Sequence, residues 1–118
     1  MENILEYSFD DEVVNRFCYD IDNKKIEVSF RGYYDLLKNE FIKAPCKWVI
    51  ENWIEAKSKL NSEAKYDFLE KHLGIFSLVL SLEKTGQNLE VTVNTVDGRY
   101  IDLIFINPII KLDTIDKG

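Results

Sequence analysis

His72 is the single histidine of the chain, and Cys18 and Cys46 are its two cysteines. One imidazole cannot build a His/His metal site, and a thiol–imidazole nucleophile requires Cys18 or Cys46 to reach His72 in space. Each cysteine has apolar or aromatic neighbours, Phe17 and Tyr19 beside Cys18 and Trp48 near Cys46, so both read as buried thiols rather than a disulfide or metal pair. Gly32, Gly74, Gly86, Gly98 and Gly118 fall in neither the dinucleotide nor the phosphate-loop spacing, so no cofactor is expected. The 21 acids will form some close pairs by chance, which singles out no catalytic couple.

Three residues could still make a ligand site. A strand over residues 46–55 puts Trp48 and Trp53 on opposite faces, leaving one of them exposed as a sugar platform or an interface anchor. Asp102 is the third. Counting outward from a two-residue Asp97-Gly98 turn places it beside Val93 on an otherwise apolar face. There it either reaches water or Arg99 at the sheet's end, or lines a pocket as a partly buried acid with a raised pKa.

The charge is local. The chain carries 21 acids and 15 bases, a formal charge of -6 over 118 residues, which disfavours a partner held by its phosphates. Glu2, Glu6, Asp10, Asp11, Glu12, Asp20 and Asp22 stand against Arg16 alone in the first 22 residues, and the remainder is neutral. That acidic stretch is either a solvated edge or a docking face for a basic partner, with Asp10, Asp11, Glu12, Asp20 and Asp22 as contact residues. The start of the chain lacks a secretory pattern, and the longest apolar stretch, Ile75 to Leu82, is far short of a membrane span, so the cytosol is expected and a membrane is not.

No linker or repeat divides the chain, which reads as one domain over residues 1–118. Leu5-Tyr7-Phe9, Phe17-Tyr19-Ile21 and Ile26-Val28-Phe30 alternate with polar residues, predicting a three-stranded meander with turns at Asp10-Asp11-Glu12 and Asp22-Asn23. Residues 32–44 read as a loop with helix-like spacing at Tyr33, Leu36, Leu37 and Phe41, and residues 46–55 as a strand, the alternative for 46–60 being a helix that starts at Pro45 and carries Val49, Trp53, Ala56 and Leu60 as its apolar stripe. Ser62 to Leu73 carries helix signals: a capping serine, early acids, late Lys71 and His72, and Gly74 just beyond the end. Strands at 75–84, 89–96 and 99–107 complete the chain. The expected fold is mainly β, or α+β: an antiparallel sheet or two-sheet sandwich of about seven strands with one helix at about 62–73.

Cys46-Lys47-Trp48-Val49-Ile50-Glu51-Asn52-Trp53, Gly74-Ile75-Phe76-Ser77 and Asn94-Thr95-Val96-Asp97-Gly98-Arg99-Tyr100, in a small acidic chain, resemble the small immunity-type proteins of bacterial polymorphic-toxin systems. The resemblance implies a non-enzymatic inhibitor that binds and blocks a toxin domain. It transfers no functional residue, because that group shares no catalytic motif. The alternative is a β domain that binds a small molecule or carbohydrate through Trp48, Trp53 or Asp102.

Overall fold

A computed structural model of the chain describes residues 6–9 and 12–114. Its strands are β1 (Tyr7–Ser8), β2 (Glu12–Val13), β3 (Arg16–Asp20), β4 (Lys25–Phe30), β5 (Tyr33–Asp35), β6 (Glu40–Ile42) and β7 (Cys46–Glu51). They continue with β8 (Glu55–Leu60), β9 (Asp67–Phe68), β10 (Phe76–Thr85), β11 (Asn88–Thr95), β12 (Tyr100–Ile106) and β13 (Ile109–Thr114), with one short helix, α1 (Leu69–His72), after β9. The fold is mainly β, and every strand pair is antiparallel.

A six-stranded sheet (β2-β10-β11-β12-β8-β9) and a four-stranded sheet (β13-β7-β4-β3) contribute to one apolar cluster, joined by a small sheet, β1-β5-β6. The clean alternation of β4 puts Ile26, Val28 and Phe30 inside, and β7 adds Cys46, Trp48 and Ile50. Leu89, Val91 and Val93 of β11 and Ile101, Leu103 and Phe105 of β12 come from the other sheet. Phe17 on β3 meets Phe76 on β10 with ring centroids 4.4 Å apart, a direct contact between the sheets.

The N-terminal meander is not formed as expected. β1 pairs with β5 and β2 with β10, so of the predicted hairpins only β3–β4 exists. Asp10 and Asp11, the expected first turn, lie outside the described residues. Residues 32–44 are no loop with helical character but the β5–β6 hairpin, whose tip is fixed by the Asp35 carboxylate accepting the Leu37 and Lys38 amides at 3.0 Å each. A Cβ at Gly32 would lie 2.5 Å from the Phe41 ring and 2.6 Å from the Ile42 carbonyl oxygen. Gly32→Ala should therefore cost about 1–3 kcal/mol of stability by overpacking. A urea-midpoint comparison checks this, and an unchanged midpoint would show that the hairpin yields freely.

The strand at 46–55 stops at Glu51, because Asn52 takes a positive φ of 54° and turns the chain into β8. The helix is shorter than the predicted 62–73. Asp67–Phe68 is recruited as β9 by the edge of β8, Ser62 caps nothing, and Phe68 precedes the helix without a side-chain cap. Ser58 Oγ instead holds the helix from β8: it donates toward the Phe68 and Leu69 carbonyls at 3.0 and 2.9 Å and accepts the His72 amide at 3.3 Å. Nor is Gly74 a left-handed cap. A Cβ there would lie 2.5 Å from the Arg99 guanidinium, which crosses the glycine to donate to the His72 carbonyl at 2.8 Å. Arg99 thus places its cation at the helix C-terminus.

The β11–β12 hairpin is offset by one residue from the expected register. Gly98, at φ 84°, sits in a three-residue loop closed by the Thr95 amide on the Arg99 carbonyl at 2.9 Å, rather than in a two-residue turn. Leu89 consequently faces Phe105 and Thr92 faces Asp102. The slip exchanges the faces of β12, so that Ile101, Leu103 and Phe105 join Leu89, Val91 and Val93 on the buried face.

Candidate functional site

The outer face of the six-stranded sheet is where Asp102 now lies. Its carboxylate accepts from Lys59 Nζ at 2.9 Å, Thr92 Oγ1 at 2.7 Å and Asn61 Nδ2 at 3.1 Å. Burial pushes its pKa up, but these donors prevail and hold it below the ordinary aspartate value, opposite to the raised pKa of the pocket reading. A depression of about 100 Å³ beside it is lined by Tyr66, Ser81, Glu83, Glu90 and Thr92. Burial raises the Tyr66 phenol, and the neighbouring charges of Asp102 and Glu90 add to it. Among the described residues no group of three or more His, Cys, Asp or Glu side chains is placed to hold a metal.

The expected tryptophan platform is not formed, since neither indole reaches the surface. Trp48 is fully buried against Phe9, ring centroids 5.1 Å apart, and Trp53 is buried against Phe105 at 5.0 Å. Opposite-face alternation held only as far as Asn52. Beyond it the turn into β8 returns Trp53 to the core.

The titratable triad His72, Cys18 and Cys46 is dispersed over α1, β3 and β7. His72, buried at the end of α1, faces Glu63 with Nε2 to Oε1 3.3 Å. Burial pushes the Cys46 thiol up to about 11, against the opposing effect of the Phe30 backbone, so it stays protonated at neutral pH. Cys18 corrects the expectation of two buried thiols: it is exposed, opposite Glu27 on the outward face of β3.

The acidic residues do not share one hairpin. Glu12 lies on β2, in the six-stranded sheet, with its pKa raised by burial. Asp20 and Asp22 belong to the β3–β4 turn of the other sheet. Asp20 accepts from the Asn23 side chain at 2.8 Å and the Asn23 amide at 3.3 Å, which lowers its pKa and fixes the turn. Asp22 is exposed there.

Sequence reasoning missed the exposed apolar residues of the β5–β6 hairpin. Leu37 is 73% exposed, Phe41 48%, Leu36 45% and Tyr34 36%, and the Tyr34 hydroxyl donates to Asn39 Oδ1 at 2.7 Å. The available signal was the density of large apolar residues between Tyr33 and Phe41, with Asp35 and Asn39 as turn formers. No family model matches the chain, and neither a curated protein nor a solved structure is similar to it at a significant level.

Proposed function

We propose that this chain is a non-enzymatic protein-binding module of the immunity type, acting in the cytosol by docking onto a basic toxin domain. The observation that carries the reading is the β5–β6 hairpin, which presents Tyr34, Leu36, Leu37 and Phe41 to solvent. Tyr34 and Phe41 stand opposite each other on one face of the hairpin and Leu36 and Leu37 at its tip; a hairpin fixed by its own hydrogen bonds meets a partner at little ordering cost, and large exposed side chains of this kind commonly anchor protein interfaces. In the single chain Asp20 and Asp22 supply the electrostatic component, steering a basic partner toward the β3–β4 turn. The buried indoles count against the carbohydrate alternative in the form that used Trp48 or Trp53 as the sugar platform.

The experiment looks for a toxin-like domain encoded directly upstream of this chain and follows binding to it by calorimetry at several salt concentrations; the lack of such a neighbour counts against the reading. Leu37→Ser should weaken binding at least tenfold, at about 1.4 kcal/mol per factor of ten. Asp20→Asn with Asp22→Asn should flatten the salt dependence while leaving the apolar contribution in place. Unchanged affinity in both variants overturns the reading.

A further inference from the structure

We propose that the chain self-associates through the free edge of β3, which pairs antiparallel with β3 of a second copy about a two-fold axis at Cys18. β3 ends the four-stranded sheet, with β4 as its one neighbour among the described residues. The outward backbone groups of β3 can be assigned. The Asn52 amide donates to the Lys24 carbonyl at 3.1 Å across the Lys25–Glu51 pair, so the N–H and C=O of Lys25 point toward β3. Alternation then turns Cys18, opposite Glu27, toward β4, and leaves the N–H and C=O of Phe17 and Tyr19 facing outward.

The five residues of β3 are self-complementary in this geometry. With Cys18 opposite Cys18 of the second copy, each Phe17 stands opposite a Tyr19 and exchanges both backbone hydrogen bonds with it, while each Arg16 stands opposite an Asp20. Arg16 is exposed and makes no ion pair among the described residues, so its charge is open to a partner. Phe17 and Tyr19 are half-buried on the inner face, where the paired rings would extend the core across the axis. The opposite edge, β13, offers Lys111 and Asp113 in a similar arrangement, but Lys111 is already ion-paired with Glu51 at 2.8 Å, whereas Asp20 of β3 is hydrogen-bonded by the neutral Asn23 and makes no ion pair among the described residues. β3 carries the unspent cation.

Sedimentation velocity under reducing conditions, over a concentration series, tests the proposal. The unmodified chain should move from monomer toward dimer as concentration rises, and Cys18→Ser should do the same. Cys18→Arg sets two like charges about 4.5 Å apart at Cα on the axis, and Arg16→Asp sets acids opposite acids. Each should raise the association midpoint at least tenfold. Both positions are exposed, so an unchanged urea midpoint shows that the monomer fold persists. A chain that stays monomeric throughout, or a dimer indifferent to Cys18→Arg, overturns the proposal; the second result would move the contact to another edge such as β13.

Discussion

Trp48→Ala is expected to lower the free energy of unfolding by about 3–5 kcal/mol, a large part of the roughly 5–15 kcal/mol available to a domain of this kind. The indole is fully buried where two sheets meet: β7 presents it to the core, and Phe9, stacked on Phe30 at 4.1 Å, packs against it at 5.1 Å. Removing it leaves a cavity bounded by strands of more than one sheet, whose hydrogen-bonded backbones cannot all move inward together. Trp48→Phe separates packing from polarity. The indole N–H makes no hydrogen bond of good geometry among the described residues, although the Tyr7 phenol lies near enough for the indole to act on its ionisation, so its loss removes at most one weak bond. The phenylalanine variant should therefore lose much less than the alanine variant in urea denaturation. Equal losses would mean that the N–H is satisfied in solution, with the Tyr7 phenol, pushed up to about 12 chiefly by burial, as the group to examine.

The strength of Trp48 in the core was half legible from sequence. Period-two alternation in Ile26-Val28-Phe30 identifies that strand and its buried face, and the β-branched and aromatic content of residues 46–51 identifies the next strand while leaving open which of Trp48 and Trp53 is buried. What sequence did not encode locally was where each pattern stops and what pairs with it. Nothing in the type of Asn52 requires a positive φ, yet that one residue decides whether Trp53 is a surface platform or a core side chain. Asp97-Gly98 suits both a two-residue loop and a three-residue loop with a left-handed glycine, and the choice reverses the face of every residue on β12. The helix signals from Ser62 onward were sound as local chemistry. They lost to a tertiary partner, the edge of β8, which takes Asp67–Phe68 as a strand. The exposed hairpin was hidden for a related reason: Leu36, Leu37 and Phe41 have the spacing of a buried helical stripe, and only the pairing of β5 with β1 and β6 shows that they point outward.

Asp102→Ala should cost about 2–4 kcal/mol at neutral pH, because it removes one partner of a largely buried pair and leaves the Lys59 ammonium without its counter-charge. The two side chains keep 14% and 16% of their exposure, so solvent screens the pair only in part. Lys59 retains the Glu63 carbonyl at 3.0 Å and lies 5.5 Å from the centre of the Tyr66 ring, contacts that keep the cost below that of an isolated buried charge. The pH dependence has a definite sign. Asp102 has a lowered pKa in the folded chain, so its contribution is fully present above the unfolded value of about 3.9 and is lost as pH falls through the folded value. Urea unfolding of the unmodified chain and of Asp102→Asn should accordingly differ most at neutral pH and converge in acid. A gap that widened toward low pH would mean that Asp102 carries a raised pKa, restoring the reading of a protonated acid at a pocket. The same measurement on Lys59→Met tests the pairing itself: if the network is one unit, the double variant with Asp102→Asn should lose less than the sum of the two single losses.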